Sequence, residues 1–172
     1  PTLALDKFAH AYMSKPNWLE DPFFKAALEP GVYEMISSIA YQNEQRASTA
    51  AVRSAAAFRI ALQNVKKLHD AGVLVALGTD SGAFPIRAQG FAEHLELELL
   101  VEAGLSPQDV IRIATLNAAR VLQIHKDYGS IERGKIADLL ILDGNPLENI
   151  QHTRRISAVY KAGREVSKGP LN

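Results

Sequence analysis

A long amphipathic helix pattern that runs straight into five consecutive apolar residues constrains this chain more than any other feature. From about residue 43 to residue 71, Val52, Ala55, Phe58, Leu62, Val65 and Leu68 recur every three or four positions, so one stripe faces a core. Gly72 is placed to end that helix. Val73-Leu74-Val75-Ala76-Leu77 follows at once and reads as a parallel strand covered on both faces. A helix feeding a fully buried strand predicts an α/β fold.

The rest of the chain is read around that unit. Pro1 to Leu5 is a short apolar start and reads as the tail of another strand. Turn signals at Asn17-Trp18, Asp21-Pro22 and Pro30-Gly31 leave room for short helices over 22–28 and 32–40. This excursion is longer than a plain connection needs. A helix is expected from Phe91 to Ala103, ending at Gly104. The next begins with Ser106 as N-cap, Pro107 at the first helical position, Asp109 in capping-box register and Leu105 and Val110 as a staple. It is expected to reach about Ile124 on the stripe Val110, Ile113, Ala114, Asn117, Ala118, Val121 and Leu122. After Gly129 the tail turns to β: a strand over 137–143, then 156–160 and 164–167 around a three-residue hairpin loop, Lys161-Ala162-Gly163.

Where the apolar run stops, small residues surround one acid: Gly78-Thr79-Asp80-Ser81-Gly82. Reactive groups gather at the carboxyl ends of strands in open α/β sheets and in barrels. A carboxylate there can hold a metal or move a proton. The pentapeptide alone fits an Asx-turn or a helix cap equally well.

Bulk composition narrows the partners. The chain has 172 residues, with 19 Lys plus Arg against 19 Asp plus Glu, so no net field draws nucleic acid or an anionic membrane. Without cysteine it has no disulfide framework, no Cys-ligated zinc and no cysteine nucleophile. No run is long enough to span a bilayer, and no signal peptide is visible. The chain starts at Pro1 without an initiator Met, as though cut from something longer, and its compartment stays unknown.

Four stretches, in order, carry a family resemblance: Gly78–Gly82, Glu93–Pro107, Ala114–Arg120, and Gly129-Ser130-Ile131 with Gly134–Leu139. Together they resemble the amidohydrolase superfamily, in its imidazolonepropionase-like and Xaa-Pro dipeptidase-like branch, over about residues 72–166. The resemblance implies a (β/α)8 TIM-type barrel followed by a small β-sandwich. A complete barrel needs roughly 250 residues. The expected content is therefore the last two barrel strands with their helices over residues 1–128, and part of the sandwich over 129–172.

The resemblance also implies a metal-dependent hydrolase of C–N bonds, with one or two divalent metals, usually Zn2+, and a small amide, lactam or dipeptide as substrate. Family members hold metal with a His-x-His pair and later histidines. This sequence has no His-x-His, and His10, His69, His94, His125 and His152 follow no predicted barrel strand. Asp80 alone matches, as metal ligand and proton shuttle. One carboxylate does not hold zinc, which takes three or four protein ligands, so the isolated segment is expected to be inactive. Homo-oligomerisation is left open.

Two further residues are candidates for substrate binding. Arg87, in the loop after Asp80, could clamp a substrate carboxylate or be a solvated arginine. His94 could touch substrate or be a packed histidine bonded to a backbone carbonyl. Asn117 sits on an apolar stripe, where a buried amide needs partners, and tying the barrel to the preceding loop is its expected use. Glu96, Glu98 and Glu102 alternate with leucines and read as a solvated helix face. The rival functions are a non-catalytic scaffold of the same fold and a phosphate- or nucleotide-binding α/β module. The second lacks a Walker-type lysine and a Gly-x-Gly-x-x-Gly.

Overall fold

The computed structural model describes residues 1–169. Helices α1 (Leu3–Ala11), α2 (Pro22–Ala26), α3 (Val32–Ser37), α4 (Ile39–Ala47) and α5 (Thr49–Asp70) come first. Helices α6 (Phe91–Glu102), α7 (Pro107–Arg112) and α8 (Ala118–Val121) follow, with a π-helical turn over Ile113–Asn117 between the last two. Strands β1 (Leu139–Leu142), β2 (Ile156–Lys161) and β3 (Arg164–Ser167) form one antiparallel sheet in the order β1-β2-β3. The chain is thus α/β in content. The last three residues of the expected second unit lie outside the described residues.

Helix α1 is the centre of the packing. It lies against α5 and α6 and buries Leu3, Ala4, Phe8 and Ala11 on one face. Phe8, Trp18, Phe24 and Phe91 form an aromatic cluster, with Phe24 and Phe91 edge-on at 4.8 Å. Leu95, Leu99 and Leu100 of α6 and Val110 and Ile113 extend this core. Among the described residues, none of the helices is long and apolar enough to cross a membrane.

The start of the chain corrects one expectation. Residues 1–5 do not form a strand; α1 begins at Leu3, because Leu3, Ala4, Phe8 and Ala11 are spaced for a helix face. The run 73–77 is a second correction. It is not a β-strand: no strand pairs with it among the described residues. Its main chain bonds to other elements, through Leu77 N–H to Ile113 C=O at 3.4 Å and Gly78 N–H to Pro1 C=O at 3.1 Å. Nor is it covered on both faces, since Val73 and Leu74 are 49% and 48% exposed and Val75 alone of the three is buried.

The expected 43–71 helix is two helices, broken where Ser48 caps α5 by accepting the Ala51 N–H at 3.2 Å. Its stripe is narrower than read, because Val52 and Leu68 face solvent. The 32–40 helix likewise ends at Ser37, where Ser38 caps α4. The start of α7 matches expectation: Ser106 Oγ accepts the Asp109 N–H at 3.1 Å, and Leu105 and Val110 are both buried. The helical stretch beyond it stops at Val121, three residues early, with Val121 and Leu122 exposed. In the tail, the β2–β3 loop has two residues, since Lys161 pairs with Arg164. Ala162 and Gly163 both have positive φ, as a type I′ turn requires. Strand β1 is not buried, as Leu140 and Ile141 face solvent.

Candidate active site

Asp80 stands where the segment following α5 turns into the loop that leads to α6. Its φ is +55°, a left-handed value that aspartate tolerates better than most residues. Its two neighbours are pinned. Thr79 Oγ1 donates to Glu93 Oε1 at 2.8 Å and accepts the Ser81 N–H at 3.2 Å, while Ser81 Oγ donates to Glu93 Oε1 at 2.6 Å. The second oxygen of Glu93 accepts the Gly90 N–H at 2.7 Å, at the first turn of α6. Burial alone would raise the Glu93 pKa. The hydrogen bonds from Ser81, Thr79 and the backbone outweigh it and hold the carboxyl below its ordinary range.

The loop brings Arg87 back onto Asp80. Gly82 N–H donates to Arg87 C=O at 3.0 Å and Arg87 N–H to Phe84 C=O at 2.9 Å, so the chain folds on itself. Gly82 has φ +75°, and a Cβ there would collide with the Gln89 amide. Arg87 Nη1 lies 2.6 Å from Asp80 Oδ2, with its guanidinium over the Phe84 ring at 4.8 Å. The arginine side chain is 15% exposed and the aspartate 49%. Arg87 is therefore not the freely solvated arginine of the bland alternative; it is the counterion of Asp80.

His94 faces another neighbourhood. Its Nδ1 is 2.9 Å from Thr153 Oγ1, and it meets Phe23 edge-on at 5.7 Å. Thr153 gives its own hydroxyl proton to Ile150 C=O at 2.8 Å. Nδ1 must therefore carry the His94 proton, which leaves Nε2 as an acceptor. Burial, reinforced by the Arg154 charge and opposed by Glu93, pulls its pKa down to about 4. At neutral pH the ring is uncharged. A packed histidine was one expectation, but a hydroxyl, not a backbone carbonyl, is its partner.

Asn117 does have a partner: Nδ2 donates to Val75 C=O at 3.0 Å. The π-helical turn widens the helix at this point and lets the amide reach the segment leading to Asp80. Two clefts, of about 650 and 390 Å3, are not lined by Asp80, Arg87 or His94. The smaller contains Arg154, which pairs with Asp21 at 2.8 Å and Glu98 at 2.5 Å and lies over the Phe91 ring at 4.8 Å.

The solvated-face reading of the glutamates is corrected for two of the three. Glu96 is 0% exposed and accepts the N–H groups of Leu3 at 3.0 Å and Ala4 at 2.6 Å, so it caps α1 from a neighbouring helix. Burial, partly offset by these bonds, pushes its pKa up to about 7. Glu98 is the Arg154 partner, and Glu102 alone is exposed. Glu93 was not singled out as a site residue. Its signal lay in its place three residues after Gly90, the position from which a glutamate reaches back to a helix start.

A family model described as the amidohydrolase family matches residues 6–166. The chain belongs to the amidohydrolase family. It is 35% identical over 111 residues to the imidazolonepropionase of Shouchella clausii, covering 62% of this chain and 24% of that protein. It is 37% identical over 105 residues to the ochratoxinase of Aspergillus niger, covering 58% of this chain and 20% of that protein. A solved Xaa-Pro dipeptidase with methionine bound in its active site superposes with a TM-score of 0.62 at 28% identity, over 86% of this chain and 34% of that one. The chain thus spans about a quarter or less of these two curated relatives.

Amidohydrolases are generally metal-dependent, and a metal centre needs several donors brought together. Among the described residues, no group of three or more His, Asp or Glu side chains is placed to hold a metal ion. Asp80 is the one carboxylate at the loop, and an arginine already faces it. The described residues do not by themselves build a metal centre.

Proposed function

We propose that this chain is the C-terminal segment of a metal-dependent amidohydrolase that cleaves a C–N bond in a small amide, lactam or dipeptide. Residues 1–128 would form the last part of a (β/α)8 barrel and 129–172 part of a β-sandwich. The reading rests on one observation above all. The Asp80 carboxylate is half exposed, held at positive φ, and flanked by two residues pinned to one glutamate. A carboxylate so fixed suits proton transfer, which needs the base within hydrogen-bond reach of the proton it takes.

In this reading Asp80 accepts the proton of the water that attacks the carbonyl carbon. It then returns that proton to the nitrogen as the C–N bond breaks. Arg87, anchored on Asp80 by one nitrogen, turns its remaining donors to a substrate carboxylate. Neutral His94 offers Nε2 to a substrate N–H or O–H. The cofactor would be one or two divalent cations, Zn2+ first. Asp80 would be the single ligand from this segment, and the others would come from polypeptide outside these 172 residues. The segment alone would then be inactive.

The substrate class takes its lead from relatives named imidazolonepropionase, ochratoxinase and Xaa-Pro dipeptidase. Assaying the complete, metal-loaded polypeptide against Xaa-Pro dipeptides, N-acyl amino acids and small lactams tests the proposal. Release of the amine or ring-opened acid from at least one class is expected. No cleavage in any class, together with micromolar binding of a nucleotide, would overturn it.

A further inference from the structure

Glu93 has a structural use that is common among helix-starting glutamates. One oxygen takes the Gly90 N–H at the start of α6. The other oxygen does something a cap does not require. It takes two side-chain hydroxyls, from residues 79 and 81, at 2.8 and 2.6 Å. Those two residues bracket Asp80. Ser81 also gives its N–H to Thr79 Oγ1, so 79, 81 and 93 close a small ring of hydrogen bonds with Asp80 at its apex.

The ring answers a question that Asp80 itself raises. A non-glycine residue at φ +55° sits in a sparsely populated region and persists there only where its surroundings over-determine it. Thr79 is buried and Glu93 half-buried, so their bonds are shielded from competing water. Bonds from neutral hydroxyls to a carboxylate are also stronger than those between neutral groups. On the far side, Arg87 is attached to the carboxylate itself and cannot fix the backbone on its own.

We infer that Glu93 is the positioning residue for Asp80: through the Thr79 and Ser81 hydroxyls it fixes the backbone that aims the proposed proton carrier. This rests on Asp80 having the role given above. Glu93 touches no reacting atom. It sets where Asp80 Oδ1 and Oδ2 stand, and a misplacement of about 1 Å costs on the order of 100-fold in rate.

The test uses the complete, metal-loaded polypeptide and steady-state kinetics on whichever substrate it cleaves. Five variants are compared: Asp80→Asn, Glu93→Ala, Glu93→Gln, the pair Thr79→Val with Ser81→Ala, and that pair combined with Glu93→Ala. The hydroxyl pair leaves the Gly90 cap intact and so separates positioning from capping. Glu93→Ala and the hydroxyl pair should each lower kcat by about 100-fold with KM moved less than about three-fold. Adding Glu93→Ala to the hydroxyl pair should cost little more, since both remove the same ring. Glu93→Gln keeps one accepting oxygen and should recover part of the lost kcat. If Glu93→Ala fails to fold, the hydroxyl pair decides alone. A hydroxyl pair with kcat within two-fold of the parent overturns the inference. If Asp80→Asn abolishes turnover in that case, only the positioning role falls; if Asp80→Asn is also near normal, the Asp80 reading falls with it.

Discussion

Glu96 and His94 stand two positions apart on α6 and titrate in opposite senses on folding. Glu96 is raised from 4.5 to about 7 by burial, so between those values the folded chain holds a proton that the unfolded chain has lost. Its contribution therefore falls as pH rises from about 4.5 to 7, by up to about 3 kcal/mol. His94 is lowered from 6.5 to about 4, so there the unfolded chain holds the extra proton, and stability falls as pH drops through that window. The two slopes largely cancel in the parent. Replacing Glu96 with Gln should unmask the other one: the stability difference between variant and parent should rise with pH from about 4.5 to 7, read by urea denaturation at stepped pH. A pH-independent difference would contradict the burial of a titrating carboxyl. Helical period places Glu96 with Ala92, Leu99 and Leu100 and sets Glu98 and Glu102, four residues apart, on another face, so alternation with leucines is the wrong signal to read. What the sequence does not carry is the partner of Glu96, the start of α1 more than 90 positions away. Asp80 and Arg87 could be singled out in sequence by their local setting, but their 2.6 Å pairing could not.

At the scale of elements, local chemistry fixed starts better than ends. Ser106-Pro107 with Asp109 gave α7 its first residue correctly, since capping uses groups three residues apart. The π-helical turn after it was not foreseeable from periodicity, because it exists where Asn117 reaches across to Val75. Asn117→Ala should therefore cost about 1–2 kcal/mol in urea unfolding, by leaving a half-shielded carbonyl without its donor. The β2–β3 hairpin was placed correctly, but its loop is one residue shorter than expected. That puts Ala162 at φ +49°, where a Cβ is unfavourable. The turn type prefers Asn-Gly. Ala162→Asn should stabilise the chain by about 1 kcal/mol, seen as a higher urea midpoint. No gain would mean that the turn does not hold this geometry. Asp138 Oδ1 accepts the Ala162 N–H at 2.7 Å and so helps hold this turn.

On the scale of the whole molecule, Arg154 ties the segment that enters β2 to the helices, beside the His94–Thr153 bond. Arg154 lies in the short 3-10 helix Ile150–Arg154 just before β2, and it reaches Asp21 at the cap of α2 and Glu98 on α6. All three side chains are mostly buried. Arg154→Ala should cost about 3 kcal/mol, because it strands two acids rather than merely deleting a pair. Thermal unfolding of the variant beside Arg154→Lys would check it, with Lys recovering only part of the loss. The α/β class was readable because helix and strand periods differ. The run 73–77 reads as a covered strand by its apolar content, but it has no pairing strand among the described residues and Val73 and Leu74 are exposed, because composition says nothing of which neighbours are present to pair with or cover it. The account as a whole turns on Asp80. Asparagine keeps the shape and tolerates the same left-handed backbone while removing the proton-accepting charge. In the complete, metal-loaded polypeptide, kcat of Asp80→Asn should fall by at least about 1,000-fold, a little over 4 kcal/mol in the barrier, with the urea midpoint unchanged. Turnover within about ten-fold of the parent would contradict the account.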